Sequence, residues 1–117
     1  MPITIRKHES GKYYVSEWEG RLSDDELLPA YNSFNSSGEW SPDLSELVDL
    51  TWGDLSQVTR TGLISLANSE ADFLSQQGVS FKKTAILLSP LAVAVQAIIY
   101  EVWSSDSSEH VKIFRNR

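Results

Sequence analysis

The chain has 117 residues, 41% of them hydrophobic, 10% aromatic and 22% charged, enough for one hydrophobic core and too few for two ordinary domains. Sixteen acids against ten bases give a formal charge of −6, and without clustered Lys and Arg there is no general attraction to nucleic-acid phosphates. The absence of cysteine and the presence of only two histidines, His8 and His110, exclude a disulfide framework, a thiolate nucleophile and a cysteine-based zinc or iron–sulfur site. No cofactor is expected.

The opening residues, Met1 to His8, carry no apolar signal-peptide core and no small-residue cleavage site, so a cytoplasmic location is expected. Ile3 and Ile5 alternate with polar residues as a short strand. Ser10-Gly11-Lys12 turns the chain into a second strand, Tyr13 to Trp18, and the two should pair antiparallel. Gly20 is expected to end that strand. Ser23 followed by Glu26 has the spacing of a capping box, in which the two side chains satisfy free amides of a new helix. Leu27, Tyr31 and Phe34 share one face of that helix. Pro29 either kinks it or opens its regular part. Asn35 to Pro42 reads as a loop.

Leu47-Val48-Asp49-Leu50 reads as a buried parallel strand, followed by a loop from Thr51 to Val58. Leu63, Leu66, Ala67, Ala71 and Leu74 repeat with helical period, and Gly78 is a natural helix stop. Lys82 to Leu88 is the next strand. Ser89-Pro90 opens a third helix running to about Ser104, with Ser as N-cap and Pro at the first helical position. His110 to Phe114 forms the last strand. The order β-β-α-β-α-β-α-β implies a single α/β domain over residues 1–117, an open mixed sheet that is mostly parallel with an antiparallel N-terminal edge strand. Ligands of such sheets bind beyond the carboxyl ends of the strands, which directs attention to Thr51–Thr61 and to Ser89 and Pro90.

Several residues there suit a binding site. Trp52 follows the third strand, and Trp40 lies in the preceding loop; each either lines a pocket mouth or caps the core. Arg60, with Thr59 and Thr61, stands at a helix N-terminus, where free amides and the dipole favour a carboxylate or phosphate headgroup. The third helix is apolar almost all round, and the 17 residues from Thr84 to Tyr100 contain no formal charge. Its residues Leu91, Val95, Ile98, Ile99, Val102 and Trp103 either meet a lipid, a membrane surface or a second subunit, or are covered by neighbouring elements. Asp49 interrupts an apolar strand, as a perturbed acid or as an acceptor of backbone amides. Asp24, Asp25 and Glu26 point in different directions, so they suit a helix dipole better than a metal. Nine acids and two bases lie between Glu9 and Glu46, whereas Lys112, Arg115 and Arg117 leave the end of the chain basic. A membrane contact would therefore be oriented. No catalytic Ser-His-Asp arrangement, phosphate loop or dinucleotide fingerprint is present.

Gly20 to Leu27, Leu47 to Leu50, Ala85 to Leu88 with the apolar helix after it, and Val111 to Arg115 together resemble the SpoIIAA-like proteins, relatives of the STAS domain of anti-anti-sigma factors and sulfate transporters. The resemblance covers nearly the whole chain and rests on the order of elements. In anti-anti-sigma factors a motif similar to Asp-Ser-Ser-Gly-Leu carries the serine that a partner kinase phosphorylates. The matching stretch here is Thr59-Arg60-Thr61-Gly62-Leu63, with Arg60 in the place of that serine, so the usual kinase switch is not expected unless Thr59 or Thr61 substitutes. Many SpoIIAA-like members add a helix after the last strand, whereas this sequence ends at Arg117, which implies coverage by a partner subunit or an exposed strand. The resemblance extends to the CRAL-TRIO lipid-binding fold and implies an apolar ligand.

These features lead first to a non-enzymatic protein that binds a lipid-like or small amphipathic ligand, at a membrane surface, through Trp52, Thr59, Arg60, Thr61 and Ser89. The alternative is a regulatory protein-interaction module of STAS type whose second helix and preceding loop dock on a partner. Homodimerisation fits either reading.

Overall fold

The computed structural model describes residues 2–79, 82–88 and 109–115. Ile3–Lys7 (β1) and Tyr13–Ser23 (β2) form the expected antiparallel hairpin. Its turn depends on Gly11, whose φ of 74° lies in the left-handed region that glycine enters without strain. The Gly11 amide donates to the His8 carbonyl at 2.9 Å, and the His8 and Tyr13 rings stack across the turn. Asp24–Asn35 (α1) returns the chain to Ser45–Gln57 (β3), and Arg60–Gln76 (α2) returns it to Lys82–Leu88 (β4). Glu109–Arg115 (β5) completes the sheet.

The sheet order is β1-β2-β3-β4-β5, with β1 antiparallel to β2 and every other pair parallel. This is the open mixed α/β sheet read from the sequence. Both described helices cover one face of it. Leu27, Ala30 and Tyr31 of α1 and Leu63 and Leu66 of α2 form one core with Ile3, Trp18, Leu22, Val48, Leu50, Ile86 and Leu88. On β3 the buried positions Glu46, Val48 and Leu50 alternate with partly buried ones, the period-two pattern of a strand whose better-covered face meets helices. Strand order never reverses along the sheet, so the crevice that a reversal opens in doubly wound folds is not formed among the described strands.

Three local expectations need correction. Gly20 does not end β2: its φ of 71° sits between two register irregularities, and the strand bends there and runs on to Ser23. Thr51–Gln57 is not a loop, because it pairs with that extended part of β2 through Glu19↔Trp52, Gly20↔Gly53 and Arg21↔Asp54. The two strands thus continue past the point where β4 stops pairing at Asp49. The capping box is not made. Ser23 holds the N-cap position with extended φ and ψ, yet its side chain makes no cap hydrogen bond, and Glu26 Oε2 is buried with no hydrogen-bond partner among the described residues. Pro29 lies inside α1, which continues through it. The third helix expected over residues 90–104, with Leu91, Val95, Ile98, Ile99, Val102 and Trp103, and its expected N-cap Ser89 lie outside the described residues. Among the described residues no helix is long and apolar enough to cross a membrane.

Candidate functional site

At the carboxyl end of the parallel strands, α1 and α2 begin side by side. Thr59 precedes α2 in extended conformation and caps it, its Oγ1 accepting from the Gly62 amide at 3.1 Å. The same hydroxyl donates to Asp24 Oδ2 at 2.5 Å, and the Thr59 amide donates to Asp24 Oδ1 at 2.8 Å. The first residue of α1 therefore places its carboxylate over the start of α2, where free amides and the helix dipole favour negative charge. Gly62 makes room for it: a Cβ there would stand 2.2 Å from the Asp24 carboxylate. Arg60 and Thr61 are exposed on the first turn of α2. Of the residues singled out from the sequence, Thr59, Arg60 and Thr61 thus come together at this helix start. The anion seated there is the chain's own Asp24.

Trp52 lies on the outer part of β3 and is 73% exposed, whereas most large apolar side chains of the described residues are buried. Ile64, in the second turn of α2, is 37% exposed. Near Trp52, Arg21 Nε approaches Asp54 Oδ2 at 3.9 Å. The Asp54 carboxyl is held below its ordinary range, chiefly by hydrogen bonds from the Ser56 hydroxyl and amide and further by the charge of Arg21. Trp40, the other aromatic considered, packs edge-on against Phe73 of α2 with ring centroids 4.7 Å apart. Asp49 accepts the Thr51 amide at 3.0 Å, the backbone role its position allowed.

A second polar constellation lies at the opposite end of the sheet and is sealed inside. Trp18 Nε1–H donates to Ser16 Oγ at 2.8 Å. The Tyr31 hydroxyl is 3.0 Å from Ser16 Oγ and 2.7 Å from Glu46 Oε2. A phenol has one proton, and the carboxylate accepts it, so the Ser16 hydroxyl donates to Tyr31 and the chain of donors runs Trp18, Ser16, Tyr31, Glu46. Ser16 is 0%, Tyr31 2% and Glu46 3% exposed. Burial, reinforced by the Glu46 charge, raises the Tyr31 hydroxyl well above its ordinary pKa. Nearby in the fold, Asn35 Nδ2 donates to the buried carboxylate of Glu70 at 3.2 Å. No group of three or more His, Asp or Glu residues that could hold a metal ion occurs among the described residues.

The sequence reading missed Asp24 as the partner of Thr59 because the two are 35 positions apart and nothing local links them. Glu46 was more legible. It stands two residues before Val48 and four before Leu50, at the parity of a strand's buried face.

No protein-family model matches this sequence, and no curated protein matches it. Among solved structures the chain is similar to an uncharacterised protein of the DUF3478 family from Shewanella loihica PV-4, described as having a SpoIIAA-like fold. The two share 19% identity over 96% of this chain and 83% of that one, with a TM-score of 0.49.

Proposed function

We propose that this chain is a non-enzymatic binding module that docks on a protein partner through the segment from Trp52 to Ile64. The observation that carries this reading is the exposure of Trp52, at 73%. Burying such a ring at an interface contributes a large contact area with few torsions to freeze, and Trp is the residue type most enriched among binding hot spots. The segment is also held in place before any partner arrives. β2 pairs with the strand that carries Trp52, and Asp24, Thr59 and Gly62 fix the start of the helix that carries Ile64. Preorganisation of this kind lowers the entropy cost of binding. The non-enzymatic part of the reading is supported by how the described polar groups are used. The Asp24 carboxylate already accepts two hydrogen bonds, and Ser16, Tyr31 and Glu46 bond to one another out of reach of solvent.

The test compares wild type, Trp52→Ala and Ile64→Glu as immobilised baits and, in parallel, as samples for co-flotation with neutral and anionic vesicles. A protein retained by wild type and weakened about 30-fold by Trp52→Ala, which corresponds to a hot spot of about 2 kcal/mol, supports the reading. Wild type that floats with vesicles and loses flotation on Trp52→Ala replaces it with the lipid or amphipathic-ligand reading. Baits that retain the same proteins with and without Trp52 overturn it.

A further inference from the structure

We propose that two copies of this chain join edge to edge through β1, with Ile5 on the two-fold axis and Lys7 of each copy against Glu26 of the other. This inference is independent of the docking surface at Trp52.

The phase of the β1–β2 ladder shows which backbone groups are available. The Glu19 amide donates to the Pro2 carbonyl at 2.7 Å, and the His8 amide donates to the Tyr13 carbonyl at 2.8 Å. With Ile3 opposite Trp18 and Lys7 opposite Tyr14, the even-numbered residues of β1 bond inward to β2. In an antiparallel pair the alternate residues turn their N–H and C=O the other way. Ile3, Ile5 and Lys7 therefore present their backbone groups along the outer edge, and among the described residues β1 is the terminal strand of the sheet.

That edge carries a groove. Between β1 and α1 runs a groove of about 280 Å³ whose lining includes Ile3, Ile5, Ala30, Ser33 and Phe34. Ala30, Ser33 and Phe34 form one stripe of α1, and Glu26 lies on it one turn before Ala30. α1 begins beyond Trp18, at the carboxyl end of β2, and runs back along the strand until Tyr31 reaches Ser16 and Ala30 lines the groove with Ile3. Glu26, one turn before Ala30, therefore lies beyond the Ile3 end of the groove, and Lys7, opposite Tyr14, at the other. One oxygen of the Glu26 carboxylate is buried with no hydrogen-bond partner among the described residues. The residue as a whole is only partly buried, so its carboxylate gives that end of the groove a negative charge that an incoming cation complements.

A second β1 satisfies these requirements together. Antiparallel pairing centred on Ile5 sets Ile3 opposite the partner's Lys7 and Ile5 opposite the partner's Ile5. All three outward residues are then used, making about six backbone hydrogen bonds. Other registers in phase with the ladder pair fewer of them. The partner's Ile5 enters the groove beside Phe34, and its Lys7 arrives at the end where Glu26 waits. Edge charges such as Lys7 ordinarily discourage strand addition. Here Lys7 selects the partner, because the two-fold axis carries each Lys7 away from its twin and toward an acid. Arg6 points to the opposite face and bonds Glu17 of its own chain.

Sedimentation of wild type between about 1 μM and 1 mM, the range in which a small edge interface associates, is expected to show monomer and dimer in exchange; monomer throughout overturns the proposal. The sequence lacks cysteine, so Ile5→Cys reads the register directly. Two residues facing each other on the axis lie about 5.5 Å apart at Cα, within disulfide reach. Ile5→Cys should oxidise to a covalent dimer about tenfold faster than Thr4→Cys, which lies off the axis on the other face; equal rates overturn the register. Lys7→Glu, on the exposed end of the strand where folding is least at risk, should weaken the dimer, and Glu26→Lys added to it should restore association. A double variant no better than Lys7→Glu alone overturns the Lys7–Glu26 contact.

Discussion

The two ends of the sheet each hold a carboxylate on a hydroxyl, and the environments make them different devices. At the amino end of β3, Glu46 is 3% exposed and accepts from a tyrosine that is itself buried. At the carboxyl end, Asp24 is partly buried and accepts from the exposed Thr59. Water can take the place of a lost partner at the second site and not at the first. The same functional groups thus hold the interior together at one end and keep a surface rigid at the other.

Of the hydrogen-bonded contacts at the two ends, the buried one should be the costlier to break. Tyr31→Phe preserves shape and removes the hydroxyl that bonds Glu46 and Ser16 inside the core. It should cost about 2 to 3 kcal/mol in urea denaturation. The same variant sharpens the comparison through pH. Folding raises the Tyr31 pKa, so the folded state holds the phenolic proton more tightly than the unfolded chain. That contribution is fully present below the unfolded value of about 10 and is lost as pH rises through the folded value. Wild-type stability should therefore fall above about pH 10, and Tyr31→Phe should flatten that limb. An unchanged alkaline slope would show that Tyr31 does not carry it.

The surface end calls for a cycle rather than a single substitution. Gly62→Ala drives a methyl into the Asp24 carboxylate and should cost about 1 to 2 kcal/mol as the two bonds from Thr59 are disturbed. Asp24→Ala alone should cost about 1 kcal/mol, the usual scale of a lost cap. In the Asp24→Ala background the methyl meets nothing, and Gly62→Ala should become neutral or stabilising by about 0.5 kcal/mol, since Ala is the better helix former. A reversal of sign identifies the contact, whereas additive costs would mean that Gly62 serves some other purpose.

The two ends also differ in how much of them the sequence discloses. Alternation and helical periodicity are local, so the opening hairpin, the helical stretch from Leu63 to Leu74 and the strand at Lys82–Leu88 are visible in the residue order. The open mixed sheet follows from their succession. What is invisible depends on pairing at a distance. Thr51–Gln57 contains Gly53, Asp54 and Ser56 and reads as a loop, yet it becomes strand because the far half of β2 lies beside it. Gly20 reads as a stop for the same reason, since a glycine at positive φ ends a strand unless a neighbour carries the ladder past it. Thr59 was legible as a helix start, but its partner Asp24 was not, because only the docking of α1 against α2 creates that contact.

The smallest effect on stability is expected at Trp52, and that separates holding from binding most cleanly. The ring is 73% exposed, so Trp52→Ala removes little packing and should change stability by no more than about 0.5 kcal/mol. Trp18, 1% exposed and bonded to Ser16, is the internal contrast: Trp18→Ala should cost about 3 to 5 kcal/mol. Two tryptophans on neighbouring strands of one sheet would then differ by several kcal/mol in what they contribute to folding. A near-zero cost at Trp52 is what the proposed docking surface requires, because its indole would then gain its packing only in a bound state. A cost approaching that of Trp18 would mean instead that the ring packs on the chain itself, and the proposed docking surface would lose its anchor.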